Sequence, residues 1–292
     1  MRKIQLLPNL ITLGNAFCGL VAMSKAIDAL AHPEATPGYF YARMEQACML
    51  VFIAMILDAL DGFVARLTKS ASEIGAQLDS FSDAVTFGVT PAVLAMVLLA
   101  HEGPAVGYDV TRLHVLAGAS FPLLAILRLA RFNLESDAEH ESHTEFRGLP
   151  SPASAGSLCS LMWLYLILRR PELEVQYGSP TPFGRVMGWM RDVEWTGLLD
   201  RVPGALLLML PALGLMMVSR LRFAHVVSFV TYGRSHYYTL VWILFLGLLI
   251  YLAPVPWLFV LFNGYVLFGF TRGLIVGLRP ARARGLADRG AS

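Results

Sequence analysis

Long apolar runs separated by short polar clusters recur along the chain, and the strict apolar–polar alternation of a barrel strand is missing. A helix needs about 20 mostly apolar residues to cross about 30 Å of hydrocarbon. Eight runs meet that need, roughly 10–31, 46–67, 79–100, 113–132, 152–169, 203–219, 237–253 and 256–277. Helices are then the way to satisfy the backbone in lipid. The predicted fold class is all-α: a polytopic membrane helical bundle of about eight transmembrane helices. Segment 171–202, with Pro171, Pro180 and Pro182, reads as an outer loop rather than a second domain. Residues 134–146 carry five acids and no Lys or Arg before Arg147, and read as a solvated cytoplasmic loop. His140 and His143 stand there at metal-like spacing, but two histidines in an acidic loop do not make a site. The N-terminal run follows Arg2 and Lys3 as a signal peptide would. It exceeds the 7–15 residues of a signal core and contains Pro8, Asn9, Thr12 and Asn15, so a first membrane span is expected instead.

Composition sharpens this picture. Apolar residues make up 56% of 292 and charged residues 15%, against about 45–50% and about 25% in soluble domains. Mean hydropathy is +0.58. A disordered chain, a nucleic-acid-binding protein and a typical water-soluble enzyme are excluded. The net charge of +2 points to no acidic partner. Cys18, Cys48 and Cys159 all lie in apolar runs and suggest no disulfide framework. Lys and Arg set the orientation. With the N-terminus inside, 15 of the 23 basic residues fall on cytoplasmic segments and 7 outside, with Lys25 inside the first span. This predicts a multi-pass protein of the cell inner (cytoplasmic) membrane with both termini cytoplasmic. The Arg- and Gly-rich tail 279–292 would meet the anionic inner leaflet. Three regions are expected: a core over 1–220, a further two-helix segment over 221–278, and the basic tail.

Four acids stand where the bilayer makes charge costly. Asp58, Asp61, Asp79 and Asp83 lie at the cytoplasmic ends of spans two and three. A charge there costs a few kcal/mol on insertion scales, and four together repel one another. At 3.6 residues per turn, Asp58, Asp61, Gly62, Ala65 and Arg66 share a face about 140° wide. Gly75, Asp79 and Asp83 share a face of the next helix. Only about a dozen residues separate Arg66 from Asp79, so an antiparallel pair would point both sets into one crevice. A divalent cation would offset their charge, and oxygen-only ligands favour Mg²⁺, Mn²⁺ or Ca²⁺ over zinc. Gly62 and Gly75 would let a bulky ligand approach the backbone. A cation transporter could also use such acids, but transporters show repeated halves and no repeat is evident here. Lys25 and Asp28 read as a local ion pair.

The string Asp58-x2-Asp61-Gly62-x2-Ala65-Arg66-x8-Gly75-x3-Asp79-x3-Asp83 resembles the signature of the CDP-alcohol phosphatidyltransferases, in all eight positions. The resemblance to the family's six-helix core covers roughly residues 5–220. It implies cleavage of the pyrophosphate of a CDP-linked lipid, here CDP-diacylglycerol, with transfer of the phosphoryl-bearing half to a hydroxyl and release of CMP. It implies that Asp58, Asp61 and Asp79 bind metal, and that Asp83 completes the metal site and is the general base. Gly62, Ala65, Arg66 and Gly75 would then bind CDP-diacylglycerol. The cofactor would be Mg²⁺ or Mn²⁺, as two ions, and a homodimer would fit the family's habit.

Other segments bear on the acceptor. Leu7-Pro8-Asn9-Leu10-Ile11-Thr12 through Asn15 and Cys18-Gly19 resembles the opening of the family's integral-membrane phosphatidylserine synthase branch. Arg128-Leu129-Ala130-Arg131-Phe132-Asn133 and Phe146-Arg147-Gly148-Leu149-Pro150-Ser151-Pro152-Ala153 look like segments of the same branch. That implies L-serine as acceptor. Arg128 and Arg131, at i,i+3, could grip its carboxylate with paired hydrogen bonds, and Asn133 could meet the amine or hydroxyl. Positive-inside anchoring is the competing reading of these arginines. A sibling acting on glycerol phosphate, inositol phosphate or choline is the alternative. A phosphorylated acceptor would need more basic residues, and choline an aromatic or acidic cage.

Overall fold

The structure is a computed structural model, and it describes residues 6–32, 38–67, 73–104, 107, 112–138, 145–169, 190, 195–219, 221–224 and 236–278. The helices are α1 (Leu6–Ala31), α2 (Gly38–Leu67), α3 (Glu73–Asp83), α4 (Thr90–Glu102), α5 (Arg112–Ala138), α6 (Ser151–Arg169), α7 (Thr196–Leu199), α8 (Val202–Val218), α9 (His236–Leu252) and α10 (Pro254–Leu278). All eight expected spans are helical. Among the described residues, seven stretches are long and apolar enough to cross a membrane: Leu7–Ala31, Gly38–Leu67, Ile74–Glu102, Arg112–Leu134, Ser151–Arg169, Gly197–Val218 and Pro254–Gly273. The eighth helix, α9, has 17 residues. At 1.5 Å per residue it spans about 25 Å, the short end of the range that crosses a bilayer. The protein is a polytopic membrane helical bundle.

The first two helices form the most extensive pair, with Ala22, Ala26 and Ala29 of α1 and Ala47, Cys48, Val51 and Ala54 of α2 buried in the common core. Helix α2 begins at Gly38, well before the expected 46. Its polar first turns are helical because Arg43 Nε reaches Asp28 of α1 at 3.0 Å. This corrects the reading of Lys25 and Asp28 as a local pair: Lys25 Nζ donates to Gln46 Oε1 at 2.8 Å instead. All three cysteines are free and buried.

Span three is not one regular helix. A π-helical turn, Ala84–Val89, joins α3 to α4. Along it, hydroxyls of α3, the π turn and α4 bond backbone carbonyls of α1: Ser82 to Thr12 at 3.1 Å, Thr86 to Asn15 at 3.2 Å and Thr90 to Gly19 at 3.3 Å. The wider i→i+5 turn brings residues four apart closer to one line than a 3.6-residue turn does. The approach needs glycine at 19, where a Cβ would lie 2.6 Å from Thr86 Oγ1 and 3.1 Å from its Cα.

At the other end of α4, Glu102 is 3% exposed and fully engaged. Tyr41 and Tyr165 each donate a hydroxyl to it at 2.7 Å. His101 Nδ1 lies at 3.1 Å and Arg169 Nε at 3.6 Å. Arg169 also bonds Asp200 at 3.1 Å. One carboxylate thus fastens α2, α4 and α6 together, as a buried charge requires.

The described parts of the region expected to be an acidic loop are helix and strand. Helix α5 runs on to Ala138, and β1 (Glu145–Arg147) pairs antiparallel with β2 (Arg222–Ala224). Ribbon and helix are joined at Gly148, whose φ of +85° and approach to Met217 O (2.2 Å from an added Cβ) admit only glycine. Gly148 N donates to Leu221 O at 2.9 Å and Leu149 N to Met216 O at 3.1 Å. His140, His143, the tail 279–292 and most of the expected outer loop lie outside the described residues.

Candidate active site

The four aspartates meet at the end of the bundle where α2 stops and α3 begins. Carboxylate oxygens of Asp58, Asp61 and Asp79 all lie within 4.8 Å of one another. Two carboxylates at that separation repel by about 3 kcal/mol at an effective dielectric of 20. Asp61 is 5% exposed, and its Oδ2 is buried with no hydrogen-bond partner among the described residues. A buried, unpaired oxygen amid like charges is a ligand position for a cation, and an all-oxygen donor set fits a hard divalent ion. Asp83 stands apart from this triplet, within hydrogen-bonding reach of Asp58.

Asp83 is held from α1. Asn15 Nδ2 donates to Asp83 Oδ1 at 3.4 Å. Asn15 is completely buried, and its own Oδ1 has no partner. Sequence reading placed Asn15 in a motif but gave it no role. A polar residue halfway along an apolar run was the available signal, but its partner is 68 residues away.

The nucleotide-wall residues line the same face of α2. Gly62 and Ala65 are half-buried and Arg66 is exposed. Among the described residues, a Cβ on Gly62 would meet only Arg66 Nη1, at 3.7 Å, so no described helix fills the space above it. Gly75 is half-buried on α3, one turn before Asp79.

The two arginines of α5 separate. Arg128 Nη1 donates to Ser151 Oγ at 2.6 Å, its Nε is buried without a partner, and Asp83 and Tyr265 are its charged and polar neighbours. Arg131 Nη1 reaches Val218 O at 3.5 Å, at the C-terminal end of α8. Asn133 exchanges hydrogen bonds with Ser80 at 3.0 and 3.3 Å, joining α5 to α3 beside Asp79. Pro150 and Pro152 flank the start of α6, where Pro150 O accepts from Ser154 N at 3.0 Å.

Residues 5–192 match the family model described as CDP-alcohol phosphatidyltransferase. The chain belongs to that family. Family members depend on divalent metal in general, which agrees with the aspartate triplet. The chain is similar to a CDP-diacylglycerol–serine O-phosphatidyltransferase of Helicobacter pylori, 34% identical over 158 residues, which cover 53% of this chain and 56% of that one. It is similar to one of the same name from Bacillus subtilis, 31% identical over 159 residues, 54% of this chain and 76% of the relative. An archaetidylserine synthase of Methanothermobacter thermautotrophicus is 31% identical over 156 residues, 53% and 56% of the two chains. The matched region thus spans from about half to three quarters of these relatives. All eight signature positions fall inside the family match, whereas α7 to α10 lie beyond it.

Proposed function

We propose that the protein transfers the phosphatidyl group of CDP-diacylglycerol to the hydroxyl of L-serine, giving phosphatidylserine and CMP. The observation that carries this reading is the aspartate triplet with Asp83 set beside it and beside Arg128. The relatives' names support serine as acceptor, because serine is common to all of them while the lipid differs.

Asp58, Asp61 and Asp79 would hold a divalent cation, Mg²⁺ or Mn²⁺, which when bound offsets the charge of the donor's pyrophosphate. Asn15 fixes one oxygen of Asp83 by its amide. The other oxygen takes the seryl proton as the hydroxyl attacks phosphorus. Arg128 grips the serine carboxylate, and Gly62, Ala65, Arg66 and Gly75 seat the cytidine diphosphate. The site faces the cytoplasm from the inner membrane, where a lipid enters sideways while serine and CMP exchange with water. Both termini are cytoplasmic, residues 1–220 form the catalytic core, and dimerisation follows the family's habit.

The test is a transfer assay on purified protein with radiolabelled CDP-diacylglycerol and serine, glycerol 3-phosphate, inositol phosphate or choline. Labelled phosphatidylserine with serine alone is expected. Product with another alcohol and none with serine would defeat the assignment.

A further inference from the structure

Helices α8 and α10 both pack on α6, yet they splay apart and leave a cavity of 680 Å³ between them. Its walls are apolar side chains, among them Ala212 and Met216 of α8 and Leu267 and Phe270 of α10. The polar groups at its inner end satisfy each other: Ser157 Oγ donates to Asn263 Oδ1 at 2.8 Å, and Asn263 Nδ2 donates to Ser160 Oγ at 3.1 Å. Ser219 at the mouth donates to Met216 O at 2.8 Å. No lining group waits for a polar ligand, so the fitting occupant is hydrocarbon. The cavity opens to the side, where Leu215 and Leu267 are largely exposed, so a hydrocarbon chain can enter from the membrane and make dispersion contacts along its walls.

Length and position narrow the occupant further. The α8 wall runs from Met209 to Ser219, which is about 15 Å of helix, or half of the roughly 30 Å hydrocarbon layer. It therefore matches one leaflet. The mouth lies at the level of Arg128 and Arg131. Val218 O, next to Ser219, accepts from Arg131. Met216 O accepts from Leu149, two residues before the Ser151 that receives Arg128. Cations at the rim and an apolar slot beneath them are the complement of a phospholipid, phosphate above and acyl chain below.

We infer that the α8–α10 cavity binds an acyl chain of the CDP-linked lipid donor, so that the helices beyond the family match select the donor by chain length. This rests on the transfer reaction proposed above. The experiment compares dioctanoyl with dipalmitoyl CDP-diacylglycerol in full-length Ala212→Trp and Leu267→Trp. The KM for the long-chain donor should rise at least about tenfold, the equivalent of displacing about two methylenes. The KM for the dioctanoyl donor and for serine should stay within about twofold. Equal changes for both donors, or none for either, would overturn the inference.

A second measurement needs no variant and no turnover. CDP-diacylglycerol carrying a diazirine at its acyl terminus should label wild-type peptides containing 209–219 and 263–270. Unlabelled CDP-diacylglycerol should compete and phosphatidylcholine should not. Equal competition by phosphatidylcholine would mean bulk membrane lipid fills the slot, and the inference falls. A wild type that transfers to no alcohol would instead defeat the proposed reaction, while labelling would still decide whether the donor occupies the slot.

Discussion

The residues at the aspartate cluster divide by what each can do without its neighbours. Asp83→Asn keeps an oxygen donor and removes the proton acceptor. Transfer should fall about 10²-fold or more, within the range for lost general-base catalysis, while CDP-diacylglycerol binding survives better than in Asp58→Ala or Asp79→Ala. Near-normal turnover in Asp83→Asn would contradict its role. Asn15→Leu should lower kcat about tenfold or more, about the worth of one lost hydrogen bond to a charged group, with both KM values nearly unchanged. Arg128 and Arg131, which sequence could not tell apart, now predict different outcomes. Arg128→Lys keeps the charge but loses the two-pronged grip, so the serine KM should rise about 10- to 100-fold. Arg131→Lys should leave the serine KM close to normal, because Arg131 is engaged with the end of α8. Steady-state kinetics varying each substrate in turn reads all of these. EDTA should abolish transfer and Mg²⁺ or Mn²⁺ restore it; full turnover in metal-free buffer would show that the triplet serves some other purpose.

Among the elements, what holds the helices together can be separated from what reacts. Glu102 lies 19 residues beyond Asp83, about 28 Å along the helix. Glu102→Leu strands the buried hydroxyls of Tyr41 and Tyr165 and leaves Arg169 with Asp200 alone. Breaking a buried ionic network costs about 3–5 kcal/mol, so the melting temperature in detergent should drop sharply while the KM values of the folded fraction hold. A shifted serine KM would mean the clamp is coupled to the site. Gly19→Leu tests the opposite end, since its side chain must displace Thr86; overpacking of this kind costs about 1–3 kcal/mol, and both stability and turnover should suffer. The helices and the acid face were legible in the sequence, because membrane spans need long apolar runs and because one helical face repeats every three to four residues. The hydroxyl ladder was not. Ser82, Thr86 and Thr90 look like unremarkable small polar residues until α1 lies against them, and the π turn has no local signature. The Glu102 clamp and the β1–β2 ribbon escaped for the same reason: their partners are 61, 63 and about 77 residues away.

For the molecule as a whole, orientation is the simplest quantity to test. With 15 basic residues inside and 7 outside, the C-terminus should be cytoplasmic. A membrane-impermeant thiol reagent applied to intact cells should leave Ser292→Cys unlabelled until the membrane is opened. Labelling from outside would invert the topology and place the aspartates on the wrong face for CMP and serine.

The short ribbon between β1 and β2 also orders events during synthesis. Arg147 pairs with Arg222, and Gly148 and Leu149 are bonded to Leu221 and Met216. These contacts set the turn from which Ser151 meets Arg128. Every signature aspartate has been synthesised by residue 83, yet that turn has none of these partners until residues 216–224 are made. A nascent chain arrested at about residue 200 should therefore insert its early helices and still be unable to use serine. Competence should appear only when the later strand is released.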